Sequence, residues 1–282
     1  MKQSDFSGID LTFPLLSFEK ALRLLRLLDF ERADIALTGD PQGNHLCTYE
    51  ELQEPYENGK KLLERMQQEG LKQTDLFVFM GDTRKTALNH PDKTVREDNA
   101  ELFCKAVEYG HACECGHMTI LPGVEFDGAY GTSLEAASRE LAWRVDCAAE
   151  RGITLAVEAH IESIVDLPEK AINLLECTKG LTLTLDYSHF IRSGAAQEDI
   201  DRLIEYASHM HFRNAAKGFS QTIFAESEID YRKVIHLLKE HQYSGGLTME
   251  FCSHSWEDQN RVDTIGETIY LRKYLLDNWE NV

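Results

Sequence analysis

Short apolar runs alternate with amphipathic helical stretches along the whole chain, and this rhythm constrains the fold more than any single residue. Strand-like runs fall at 9–13, 32–39, 76–81, 118–124, 153–158, 181–186, 208–212 and 246–251. Helical patterns fall at 17–29, 56–70, 96–110, 133–152, 168–177, 197–206, 230–241 and 263–278. That makes eight β/α units at about 35 residues each, the usual repeat of a closed (β/α)8 TIM barrel. No Pro/Gly/Ser-rich linker divides the sequence, so residues 1–282 read as a single α/β domain. A doubly wound open sheet is the alternative, weakened by the lack of a GxGxxG turn after the first strand.

The four late strands end alike. Counting by twos, they give Thr154, Ala156, Glu158; Thr182, Thr184, Asp186; Ala207, His209, His211; and Gly246, Thr248, Glu250. The opposite parity is mostly apolar, as required of the face that packs on the helices. The other parity then faces the lumen, and each row closes on a side chain able to bind a metal. Strand C-terminal ends are where barrels keep their chemistry. Three carboxylates with one histidine would repel one another there unless a cation joined them. Three oxygens and one nitrogen suit Mn²⁺, with Mg²⁺, Zn²⁺, Fe²⁺ or Co²⁺ as alternatives.

The formal net charge of −19 opposes binding to nucleic acid or to anionic membranes. No stretch approaches the roughly 20 apolar residues of a membrane span, and the N-terminus lacks a signal-peptide core. The seven cysteines form no disulfide pattern, and Cys113, Cys115 and His117 are too closely spaced for a zinc knuckle. These features lead us to expect a soluble cytoplasmic protein with free thiols. Homo-oligomerisation is compatible with such a barrel, but no surface stripe marks an interface.

The segments "LAVEAH", "LTLDYSH", "SHMHFRN" and "YSGGLTMEF", in this order over roughly 153–251, resemble the xylose isomerase-like barrel superfamily of sugar isomerases, sugar epimerases, inosose dehydratases and abasic-site endonucleases. The N-terminal half matches in rhythm only. The resemblance implies that Glu158, Asp186, His211 and Glu250 bind one divalent metal, and that His189, on the turn after Asp186, reaches the substrate or a metal-bound water. The endonuclease branch needs further histidines after strands three, four and seven. Here the third strand ends "FMGD", the fourth "ILPG", and "KGFSQTIFAESEID" has no histidine. Ketohexose 3-epimerases carry a glutamate where this chain has Ile164, so their narrow specificity does not transfer.

The expected activity is therefore metal-dependent isomerisation or epimerisation of a sugar, polyol or keto-sugar through an enediolate. Glu158 and Glu250 would exchange the α-proton, and His189 would move a proton between oxygens. If His189 protonated a leaving hydroxyl instead, the same intermediate would lead to dehydration, as in an inosose or 3-dehydroshikimate dehydratase. A barrel that binds metal or sugar without catalysis is a third reading. Arg213, His160, Lys217 and Trp256 are candidate substrate contacts. The long segments 39–55 and 81–98 follow strands two and three and would cover the site, with Arg84, Asn89 and His90 as further candidates.

Overall fold

The computed structural model describes residues 2–39, 45–160 and 162–281, without the side chains of Ser4, Trp256 and Glu257. Eight parallel strands close on themselves: β1 Phe6–Ile9, β2 Arg32–Leu37, β3 Lys72–Val78, β4 His117–Ile120, β5 Thr154–Glu158, β6 Thr182–Asp186, β7 Ala207–Phe212 and β8 Gly246–Met249. Each pairs with its sequence neighbours, and β1 pairs with β8 through Ser7 opposite Thr248. The α-helices are α1 Phe18–Leu27, α2 Thr48–Glu51, α3 Pro55–Gln68, α4 Lys93–Ala112, α5 Tyr130–Ala149, α6 Pro168–Cys177, α7 Tyr187–Ser193, α8 Gln197–Asp201, α9 Tyr231–Glu240 and α10 Thr264–Trp279. The single-barrel architecture expected from the rhythm is the one observed. Among the described residues, no helix is long and apolar enough to cross a membrane.

Several elements differ from the sequence reading, among them β3, which begins at Lys72 and not at residue 76. β1 lies three residues upstream of the expected strand, and Asp10–Thr12 form a 3₁₀ turn instead. The small residues Ser7 and Gly8 hid it. A Cβ on Gly8 would lie 2.7 Å from Leu25 and 3.2 Å from Phe30, so the missing side chain lets those residues close on the strand. The seventh strand is not strictly alternating. Its pairing slips between Leu183–Ala207 and Thr184–His209, and Ser208 joins the interior network. Finally, α7 begins directly after β6, where a turn was expected.

The outward parity forms the core with the helices: Ile35 and Leu37, Leu76 and Val78, Leu183 and Leu185, and Met210 all belong to one buried apolar cluster. The lumen is polar. Ser7 Oγ lies 2.6 Å from Thr248 Oγ1, Thr119 Oγ1 2.6 Å from Thr184 Oγ1, and Ser208 Oγ donates to Thr182 Oγ1 at 2.7 Å. His117 spans Asp75 and Ser208, at 2.5 and 2.7 Å. Its ring therefore belongs to the barrel interior and not to a knuckle with the nearby thiols. All seven cysteines are free, and burial pushes Cys113 up to about 12, so it stays a thiol.

Candidate functional site

Glu158 and Asp186 end β5 and β6, His211 is the next-to-last residue of β7, and Glu250 directly follows β8, so four neighbouring strands deliver their last inward side chains to one mouth of the barrel. All four are buried. His211 Nδ1 lies 2.8 Å from Glu158 Oε1 and 3.2 Å from Glu250 Oε2. The donor atoms of Glu158, His211 and Glu250 all fall within 4.8 Å of one another. Glu158, Asp186 and His189 form a second such group, with Glu158 as the shared corner. The four expected ligands are therefore gathered in one place, but as two overlapping triads.

Asp186 is held by its own helix. Its Oδ1 accepts from the Ser188 backbone N–H and its Oδ2 from the Ser188 hydroxyl, both at 2.8 Å, which caps α7. One turn of α7 then brings His189 over the site. Its Nε2 lies 3.6 Å from Asp186 Oδ2 and 3.7 Å from Glu158 Oε2. Arg213 enters from beyond β7. Its Nη2 donates to Asp186 Oδ2 at 2.6 Å and lies 2.9 Å from His189 Nε2, and its Nε donates to Ser188 Oγ at 2.7 Å. The same Nη2 is 3.7 Å from Glu250 Oε2. A fixed positive charge thus stands on the Asp186 side of the carboxylates.

Burial opposes charge on Glu158 and on His211, yet their partners prevail. For Glu158 burial would raise the carboxyl, but the neighbouring His189 ring, the hydrogen bond to His211 and the charge of His211 hold it well below the ordinary range. For His211 burial would lower the imidazole. The charge of Glu250, the nearby Asp34 carboxylate and the hydrogen bond to Glu158 hold it well above the ordinary value. Glu158 is therefore ionised near neutrality.

The donor set fits a divalent cation. Glu158, His211 and Glu250 offer two carboxylates and an imidazole at ligand spacing, and the buried Glu250 Oε2 has no hydrogen-bond partner among the described residues. Asp186 faces the same space through Glu158 and shares its charge with Arg213.

Above these groups lies a cleft of about 110 Å³, lined by Glu158, His189, Arg213 and Glu250 and by Leu11, Phe77, Phe79, His160, Cys252, His254 and Gln259. The His160 and His189 rings stand 5.0 Å apart, and Phe77 and Phe79 stack at 4.4 Å. His254 is lowered, first by burial and then by the Arg213 charge, which favours the neutral ring. The two phenylalanines, His254 and Gln259 were not expected from sequence, although the parity of β3 already pointed Phe77 inward.

Other expected contacts lie elsewhere. Lys217 is exposed beside Gly194, at the end of α7, and does not line the cleft. Trp256 begins a short 3₁₀ helix, but its side chain lies outside the described residues. Asn89 is buried and binds the Val124 and Ser133 carbonyls. Arg84 stacks over Phe126, and His90 meets the same ring edge-on. These three brace the loops beside the cleft. Part of the 39–55 segment lies outside the described residues, and the remainder includes α2.

The family model for the xylose isomerase-like TIM barrel matches residues 22–274. No curated protein matches the sequence. Among solved structures, an L-ribulose 3-epimerase superposes with a TM-score of 0.77 at 14% identity, over 98% of this chain and 94% of that one. The probable 3-DHS dehydratase of petrobactin synthesis from Bacillus anthracis gives 0.69 at 16%, over 94% and 98%. A xylose isomerase-like TIM barrel protein from Mycobacterium smegmatis in complex with magnesium gives 0.70 at 16%, over 97% and 96%.

Proposed function

Because the chain belongs to the xylose isomerase-like TIM barrel family, we propose that it is a divalent-metal-dependent isomerase or epimerase of a sugar, polyol or keto-sugar. The observation that carries this reading is the convergence of Glu158, His211 and Glu250 beneath the cleft, with Asp186 alongside. These four residues would hold the ion, with Mn²⁺ favoured. Bound there, a divalent ion would supply Lewis-acid polarisation of a substrate carbonyl, which would make the adjacent C–H more acidic.

The chain's own groups supply the rest. Glu158, kept ionised by its histidine partners, takes the α-proton. Glu158 can give that proton back, and Glu250, on the other side of His211, can deliver one only when it enters the reaction as the carboxylic acid and is left as the carboxylate. Return to the opposite face of the same carbon gives the epimer, and return to the neighbouring carbon gives the isomer. His189 lies between the carboxylates and the cleft and passes a proton between substrate oxygens. Arg213 holds Asp186 in place and offers a charge to an oxygen-rich substrate. Phe77 and Phe79 give the cleft an apolar wall against which C–H groups of a sugar ring pack. The likeness to both an epimerase and a dehydratase, and the place of His189 over the cleft, also support dehydration as a second outcome.

Incubation in D₂O with Mn²⁺ and a panel of ketoses and inososes tests the proposal. Deuterium entering the α-carbon with inversion or carbonyl migration is the expected result. Deuterium entry with loss of water would select the dehydratase reading. No exchange with any member would overturn both and leave a barrel that only binds.

A further inference from the structure

His211 stands between two sets of carboxylates. Its Nδ1 faces Glu158 and Glu250, while its Nε2 faces Asp34 Oδ2 at 3.5 Å. Asp34 comes from β2, on the far side of the lumen, and is completely buried. It is also anchored from below: His209 Nε2 lies 2.6 Å from Asp34 Oδ2 and 3.0 Å from Thr248 Oγ1. One directional chain accounts for these contacts. The His209 N–H is shared between Asp34 and Thr248, the Thr248 hydroxyl donates to Ser7, and Ser7 donates to the Leu247 carbonyl at 3.4 Å. His209 has this position because residue 246 is glycine: a Cβ there would run into the His209 ring.

A histidine with one nitrogen turned to a metal commonly gives its other N–H to a carboxylate, which fixes both tautomer and ring orientation. His211 Nε2 is buried without a close hydrogen-bond partner, and Asp34 is the carboxylate in front of it. We infer that Asp34 is a positioning residue: it holds the Nε2–H tautomer of His211 so that Nδ1 is directed at the divalent ion, and the His209–Thr248–Ser7 chain anchors Asp34. This rests on the reading above, in which His211 holds the ion. It adds a barrel-spanning support contributed by β1, β2, β7 and β8.

The test uses the full chain loaded with Zn²⁺, which is diamagnetic, and ¹⁵N-resolved imidazole spectra. In the wild type, His211 is expected to keep its proton on Nε2 and lose it from Nδ1. Finding the proton on Nδ1 would overturn the inference without any variant. Mn²⁺ titration of Asp34→Asn is expected to show affinity lowered by about 10–100-fold. His209→Gln would show a smaller loss, because it removes only the anchor. Wild-type affinity in a folded Asp34→Asn would sink the inference and leave the metal site standing. Absence of metal binding in the wild type would sink both. Two equivalents bound by the wild type, one of them lost in Asp34→Asn, would make Asp34 a ligand of a lower ion, again overturning the positioning role.

Discussion

Arg213 Nη2 and Asp186 Oδ2 meet at 2.6 Å in the interior, with 6% and 1% of their side chains exposed. Breaking a buried pair by deleting one partner leaves the other charge stranded and costs about 3–5 kcal/mol. Arg213→Met is therefore expected to lower the metal-free stability by that order in urea unfolding. The same variant removes a positive charge from beside the proposed ion, so its Mn²⁺ affinity by calorimetry should rise. A weaker affinity would mean that Arg213 orders the ligands more than it opposes the cation.

Glu158 belongs to both triads, so it is the residue whose loss should be felt most widely. Glu158→Gln keeps the shape and removes the charge. Deuterium exchange at the substrate α-carbon should fall by about 10²–10⁴-fold, the usual contribution of a general base. Metal content after purification should drop from about one ion per chain. A variant that retains its metal and loses exchange would assign Glu158 to proton transfer alone. Retention of both would remove it from the site.

Gly246 has no Cβ because the His209 ring occupies that space. Gly246→Ala forces the ring aside in a packed lumen, and overpacking of this kind costs about 1–3 kcal/mol. The melting temperature should fall accordingly. An unchanged melt would show that the lumen yields easily at this layer.

His45 lies 2.5 Å from Asp10 through Nδ1, and its Nε2 faces the Phe13 carbonyl at 3.1 Å. Burial lowers this imidazole, but the Asp10 hydrogen bond and charge outweigh it, so the folded value is raised. A raised histidine stabilises the fold fully below its unfolded pKa, near 6.5, and the stabilisation is lost as pH rises through the folded value. The stability difference between wild type and His45→Gln, about 1.5–3 kcal/mol for a charged hydrogen bond, should therefore be largest in mild acid and shrink with increasing alkalinity. Unfolding curves across that range check it. A gap independent of pH would mean that the ring stays neutral.

The late strands were legible because each ends an alternating row on an ionisable residue. Glu158, Asp186, His211 and Glu250 could be picked out without knowing their neighbours. Asp34 and Asp75 were not. Asp34 sits inside an otherwise apolar run and Asp75 just ahead of one, outside the expected strand, and the partner that explains each is remote: His209 is 175 residues from Asp34, and His117 is 42 from Asp75. Alternation identifies the inward face but not which inward residues meet across the lumen. β1 was misplaced because small residues there carry no apolar signal. Phe77 and Phe79 carry no signal of their own in the sequence, since a cleft wall and a packed interior draw on the same side chains.

Asp186 is both the last residue of β6 and the cap of α7. This corner has no spare backbone, so an insertion there would drag a site carboxylate and His189 with it. The segments after β3 and β7 are longer and free of that double duty. Remodelling toward a new substrate has room on those sides, while the β6 corner has to be inherited intact.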